Sequence, residues 1–302
     1  MKVLNCGLMV NGNTNEGLER ELSLISEYKS IPLRTAELDN KLIETAREFK
    51  PDLIFFQLQR EGILKIDTFR ALSEMGIKVI NWTGDVRHPI PQFYFDYAPF
   101  CETSFSNFTD VLTMKEYGYK SRYLQIGYDD HVFFPKGVVR DIDIVFMGNN
   151  YGEHKFPLSK YRIDMVTRMK KEFGDRFKVY GNNWEWKDGS FNGNQKEENN
   201  LYNRTKIAIN LSHFNYSRYS SDRMFRLTGS GTFCLSHDYE DVDMDWQVGE
   251  DIAVWKDIDE LIEKCHYYLE NEWDRIRIQE NGFRRAKSRF TYKQMAENII
   301  KL

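Results

Sequence analysis

The residues best placed to do chemistry lie between positions 219 and 236, YSSDRMFRLTGSGTFCLS. Ser220, Ser221 and Asp222 are side chains that start helices, because a short side-chain oxygen can accept from a backbone N–H of the first turn. Residues 223–228 then read as a short helix closed by Gly229 and Gly231, set between an apolar strand at 207–211 and another at 232–236. A strand feeding a helix N-terminus beside arginines is an anion site, since unpaired amides and the helix dipole both favour negative charge. Arg223 and Arg226 lie three apart, on neighbouring positions of one helix face. A guanidinium can meet a phosphate through two parallel hydrogen bonds. A nucleotide diphosphate is the ligand this arrangement fits. The same residues also read as an ordinary strand–helix–strand unit whose arginines are solvated or paired with Asp222 or a nearby acid.

Other positions carry candidate chemistry. Gly148, Asn149, Asn150 and Tyr151 follow an apolar strand, and the glycine permits the tight turn and close approach that a bound nucleotide or sugar needs. The GxGxxG fingerprint of nicotinamide dinucleotide binding is absent. Asp85, in TGDVR at 83–87, ends a buried strand; its carboxylate can take a proton from an acceptor hydroxyl, or serve only a turn. His88 is a second candidate three residues on. Asn11, Gly12 and Asn13 form a polar turn after the first strand, able to close over a sugar or simply to start the next helix. His213 closes the strand at 206–211 and can reach a ligand, or be a buried, hydrogen-bonded histidine. Tyr180, Trp184 and Trp186 offer rings for stacking on a base, or the residues of an exposed loop. The run DVDMD at 241–245 has alternating carboxylates but lacks the glycine and downstream glutamate of a calcium loop, so no metal is expected.

These positions need a scaffold, and strand and helix patterns alternate throughout. Apolar runs at 2–10, 53–57 and 78–82 are strands, with helical spacing at 16–28, 42–49, 66–75 and 110–117. The alternation restarts after Pro135 with a strand at 141–147 and a helix at 158–173. A polar, Gly- and Asn-rich stretch at 184–200 reads as a long loop, residues 199–205 as a short helix before the next strand, and Gly282 as an interruption of the helix begun at 273. The pattern predicts an α/β protein of two parallel-sheet, Rossmann-like domains, 1–137 and 138–302, with the closing helix able to pack back on the first. Their cleft is expected at the carboxyl ends of the strands.

Composition excludes several classes. The chain has 302 residues, 41% hydrophobic and 15% aromatic, and a net charge of −4. That balance gives no global drive toward nucleic acid or anionic membranes. The four cysteines are scattered without CxxC spacing, against a structural zinc or a disulfide framework. No apolar run approaches the ~18 residues of a membrane span, and no signal peptide precedes the first strand. A cytoplasmic protein is expected.

Taken in order, several short motifs resemble the CgeB-like glycosyltransferases, relatives of the group 1 glycosyl transferases. They are NWTGD at 81–85, LQIGY at 124–128 with FP at 134–135, DIVFMGNN at 143–150, SDRMFR at 221–226 with GSG at 229–231, and the segment from WKD at 255–257 to Tyr268. The resemblance implies the GT-B fold, two Rossmann-like domains facing across a cleft. It implies a nucleotide diphosphate sugar held by the second domain, through Gly148, Asn149, Asn150, His213, Ser221, Asp222, Arg223 and Arg226. It places the acceptor mainly on the first domain, with Asn11, Gly12 and Asn13 as its loop and Asp85 and His88 as catalytic groups. Metal-independent hexosyl or pentosyl transfer follows, with no cofactor beyond the donor and a glycan, a protein or a modified DNA base as acceptor.

One departure stands out. Many retaining relatives carry a Glu-x7-Glu pair whose second glutamate binds the donor ribose; here Arg218 and Arg226 occupy those positions. An arginine cannot accept the ribose hydroxyl hydrogen bonds, although it can pair with phosphate. Two other readings stand beside the glycan or protein transferase. One is a DNA base glycosyltransferase of a bacterial virus, which needs a local basic groove such as Lys115, Lys120 and Arg122 would supply. The other is a non-catalytic nucleotide- or sugar-binding module.

Overall fold

The computed structural model describes residues 1–7, 15–85, 89–190 and 194–302. His88, Asn11, Gly12 and Asn13 lie outside them. The chain forms two compact units, Met1–Gly127 with Tyr292–Leu302, and Tyr128–Thr291.

The first unit is built on six parallel strands, β1 (Lys2–Gly7), β2 (Glu27–Pro32), β3 (Leu53–Phe56), β4 (Lys78–Thr83), β5 (Glu102–Phe105) and β6 (Ser121–Tyr123), in the order β2-β1-β3-β4-β5-β6. Its helices are α1 (Asn15–Ile25), α2 (Leu38–Phe49), α3 (Ile66–Glu74), α4 (Gln92–Tyr97) and α5 (Phe108–Glu116). The central strands are apolar because helices cover both faces. Leu4, Cys6, Ile54 and Phe56 pack on one side, and Val3, Leu53, Phe55, Ile80 and Trp82 on the other. Helical spacing carried α1 to residue 28, but the helix stops at Ile25 and residues 27–32 form β2, an edge strand with four exposed positions.

The second unit holds β7 (Ile142–Met147), β8 (Phe177–Tyr180), β9 (Thr205–Asn210), β10 (Phe233–His237) and β11 (Ala253–Trp255), all parallel, in the order β8-β7-β9-β10-β11. Its helices are α6 (Ser159–Phe173), α7 (Gln195–Arg204), α8 (Asp222–Gly229), α9 (Ile258–Glu270) and α10 (Glu272–Arg289). In each unit the second strand sits outside the first, and the third lies on the first strand's other side. Part of the stretch expected as loop is α7. Gly282 does not interrupt α10: a Cβ there would lie 2.3 Å from the Asp251 carbonyl oxygen, so the glycine lets that loop approach the helix.

Residues 128–137 go with the second unit. The Tyr128 N–H donates to the Phe290 carbonyl at 2.9 Å, and Asn203 takes the Lys136 N–H at 2.6 Å. The final helix, α11 (Tyr292–Lys301), belongs to the first unit, where Met295, Ala296 and Ile299 pack with Leu18 and Leu22 of α1 beneath β1 and β3. The chain thus crosses between units at 127/128 and at 291/292, and Tyr128 and Thr291 form a short parallel bridge.

Candidate functional site

The topology of the second unit selects one place for a ligand. β7 lies between β8 and β9, so the connections leaving β7 and β9 diverge to either side of the sheet and open a crevice at the strands' carboxyl ends. The loop after β7 carries Gly148, Asn149, Asn150 and Tyr151. The loop after β9 carries His213 and leads into α8 at Ser221, Asp222 and Arg223.

The first loop is fastened to the loop after β8. Gly148 N–H donates to the Tyr180 carbonyl at 2.8 Å, Asn150 N–H to the Asn182 carbonyl at 3.0 Å, and the Trp184 indole N–H to the Gly148 carbonyl at 2.6 Å. The Asn149 side chain accepts from the Asn182 N–H at 2.8 Å, and that of Asn150 from the Gly152 N–H at 2.9 Å. Both asparagine carbonyl oxygens therefore shape the loop. Trp184 is buried edge-on against Phe146, so it is core and offers no face for stacking, whereas Trp186 is exposed.

Beneath this loop lies Arg162 of α6, 1% exposed. Its Nη1 donates to the Leu211 carbonyl at 2.9 Å and its Nη2 to the Asn149 carbonyl at 3.4 Å. Gly148 is required by this packing: a Cβ there would lie 2.3 Å from Arg162 Nη2. Sequence reasoning passed over Arg162. The signal is its place on the buried stripe of α6, in register with Ser159, Met165, Val166 and Met169, where an arginine needs a reason.

The two arginines of α8 have different fates. Arg226 donates to Glu198 Oε2 at 3.3 Å and pairs with Asp222 at 2.7 Å, its guanidinium lying over the Phe133 ring. It is thus paired with Asp222 and a second acid, the alternative that the spacing left open beside a phosphate contact. Burial pushes the Glu198 carboxyl above the usual range against the pull of Arg226. Burial also raises Asp222, but Arg226 and Arg223 outweigh it and hold that carboxyl below its usual value. Arg223 is half-buried and makes no hydrogen bond or ion pair among the described residues. Arg218, with a left-handed φ of 56°, grips buried Asp245 through two bonds of 3.1 and 2.7 Å, and so holds the fold together.

The start of α8 is also unusual. Side chains cap α5, α7 and α9, through Asn107, Asn194 and Asp257. At α8 the N-cap residue Ser221 makes no such bond, contrary to the sequence expectation. Its N–H donates to Ser212 Oγ at 3.1 Å while its own Oγ is buried without a partner. His213 Nδ1 is likewise buried and unpartnered, its ring wedged between Tyr151 and Phe156. Burial, then Arg162 and Arg223, pushes the His213 pKa down to about 3, so the ring is neutral at physiological pH. The orphaned polar atoms of Ser221, His213 and Arg162, and an Arg223 that makes no hydrogen bond or ion pair among the described residues, therefore gather where the loops after β7 and β9 meet α8, chemistry that suits an anion carrying several oxygens.

In the first unit Asp85 follows β4 and is exposed, with Thr83 Oγ1 3.4 Å from its backbone N–H. Of the DVDMD run, Asp241 accepts from Ser217 Oγ and Asp245 takes Arg218. Among the described residues no cluster of three or more metal-binding side chains forms, and no helix is long and apolar enough to cross a membrane.

A family model described as glycosyl transferase-like matches residues 162–301. No curated protein matches the sequence. Solved structures resemble it over its whole length. HepE of Anabaena, in complex with UDP and glucose, superposes with a TM-score of 0.66 at 11% identity, covering 100% of this chain and 98% of that one. A glycosyltransferase from Rickettsia africae ESF-5 gives 0.65 at 11%, covering 99% and 97%. Sucrose-phosphate synthase from Thermosynechococcus elongatus gives 0.62 at 10%, covering 100% and 98%. The chain has the GT-B fold of these proteins, with two Rossmann-like, parallel-sheet domains.

Proposed function

We propose that the protein is a glycosyltransferase that takes a sugar from a nucleotide diphosphate donor bound by the second unit. The observation that carries this reading is Arg223, a half-buried cation that makes no hydrogen bond or ion pair among the described residues, at the start of α8 where Ser221 makes no cap bond. The family match over the second unit and the UDP complex of the Anabaena neighbour support it. The diphosphate lies at the α8 amides and Arg223, flanked by Gly148, Asn149, Asn150, Ser221 and the neutral ring of His213. Asp222 and Arg226 shape this end of the site as a pair. Asp85 on the first unit is the base: it takes the acceptor hydroxyl proton as that oxygen bonds to the anomeric carbon. In the same step the bond from that carbon to the diphosphate breaks, its electron pair going to the leaving group. Amides and arginine stabilise the charge that grows there. The motif order favours the CgeB-like branch, acting in the cytoplasm on a hexosyl or pentosyl donor.

Arg223→Ala is expected to weaken UDP binding by about 1.5–3 kcal/mol, the range for a hydrogen bond to a charged group. Its unfolding midpoint should stay close to wild type, because the side chain makes no hydrogen bond or ion pair among the described residues. Calorimetry showing undiminished affinity would remove the site. Transfer is also expected to persist in excess chelator, with Arg223 and the α8 amides carrying the leaving-group charge. Activity lost to chelator and restored by magnesium or manganese would contradict that arrangement.

A further inference from the structure

Arg162 is a buried cation without an anion. Among the described residues no carboxylate pairs with it; its bonds go to two backbone carbonyls, its Nε is unpartnered, and its guanidinium lies 5.0 Å from the Phe146 ring centroid. The ionisable groups that face it are Arg223, His213, Tyr151 and Tyr219, none of them acidic at neutral pH. A guanidinium stays protonated in proteins, and an uncompensated buried charge is unfavourable. Burial and then Arg223 push its pKa well down, in line with that expense. Two carbonyl bonds explain its geometry, but an apolar side chain in this stripe would fold more favourably.

We infer that Arg162 is a positioning residue for the diphosphate, a charge kept without a counter-ion inside the protein so that the ligand's phosphates supply one. This rests on the donor reading above. The two carbonyls it holds, Asn149 and Leu211, belong to the loops leaving β7 and β9, the two lips of the crevice. One fork thus sets both lips and biases the crevice between them toward anions. It does so while 1% exposed, through field and loop geometry, and Arg223 makes the direct contact. With the phosphates in place the charge is compensated, so occupancy and rigidity of the lips rise together.

The test compares wild type, Arg162→Met and Arg162→Lys. It measures the unfolding midpoint without ligand and the affinities for UDP and inorganic pyrophosphate by calorimetry. Arg162→Met should unfold at the wild-type temperature or above it, yet bind both probes about 10- to 100-fold more weakly, the range of one charged interaction. Arg162→Lys, which keeps the charge, should bind UDP close to the wild-type value. An Arg162→Met protein that unfolds several degrees lower, or fails to fold, would make the residue a structural brace and overturn the inference. So would unchanged UDP affinity in Arg162→Met, or an Arg162→Lys protein as weak as the methionine variant. Wild type that binds neither probe would instead overturn the donor reading, a result distinct from these.

Discussion

Arg226→Ala is expected to lower the unfolding free energy by about 3–5 kcal/mol, the loss seen when one partner of a buried ion pair is removed. Glu198 is the reason. Its carboxyl is buried, and Arg226, reaching it at 3.3 Å, is its ion-pair partner. Asp222 loses the same partner. The deficit should depend on pH with a definite sign. The folded pKa of Glu198 already lies above its usual value, and that of Asp222 below it. Without Arg226 both rise, so the folded variant binds protons more tightly than folded wild type. The deficit is therefore full near pH 7 and shrinks as pH falls through the raised pKa values and the carboxyls become neutral. Urea melts at neutral pH and near pH 4.5 measure it. A variant as stable as wild type at pH 7, or a deficit that widens in acid, would mean that the Glu198–Arg226–Asp222 cluster does not act as described.

The largest effect on rate is expected at Asp85. Asp85→Asn keeps the shape and removes the proton acceptor, so transfer should slow by about 10²–10⁴, the usual share of a general base. The side chain is exposed at the end of β4, and an unfolding midpoint measured alongside shows whether the variant keeps its fold. Donor affinity should be unchanged, because the proposed diphosphate site is on the second unit. Single-turnover transfer separates the two quantities. Near-wild-type turnover in a folded Asp85→Asn protein would leave the residue as part of a turn. Lost UDP affinity would show that the two units' roles have been exchanged.

The sheets were legible because their central strands are buried on both faces: β3 is LIFF with every residue buried, and such runs have no other plausible home. The edges were not. β2, EYKSIP, is mostly exposed and so carries no apolar run to read. α7 was legible only in its second half, at 199–205, since Glu198, Asn199 and Asn203 are buried polar residues on its inner face and its first turn looks like the end of a loop. Within the proposed site, Arg223 was legible as a cation at the start of α8 from residue type and helix position. The pairing of Arg226 with Asp222, four residues away, was legible as an alternative, but its second partner Glu198 was not, because it lies 28 positions upstream. Arg162 escaped for the converse reason: its place on an apolar stripe becomes informative once the stripe is known to be interior. The correspondence of Arg218 and Arg226 to a glutamate pair also takes on a physical meaning, since each arginine now satisfies an acid of the protein's own, Asp245 in one case and Glu198 with Asp222 in the other.

The position of α11 bears on how the molecule is made. Met295, Ala296 and Ile299 complete a layer of the first unit's core, yet they leave the ribosome after every residue of the second unit. At about 5–20 residues per second that delay is on the order of ten seconds or more. For that interval the α1 side of the first sheet lacks its cover, with Leu18, Leu22 and the face beneath them incompletely packed. The later-synthesised unit can close first, and the earlier one waits for it. A nascent chain arrested before residue 292 should therefore hold a protease-resistant second unit and a first unit that is readily cut and captured by chaperones.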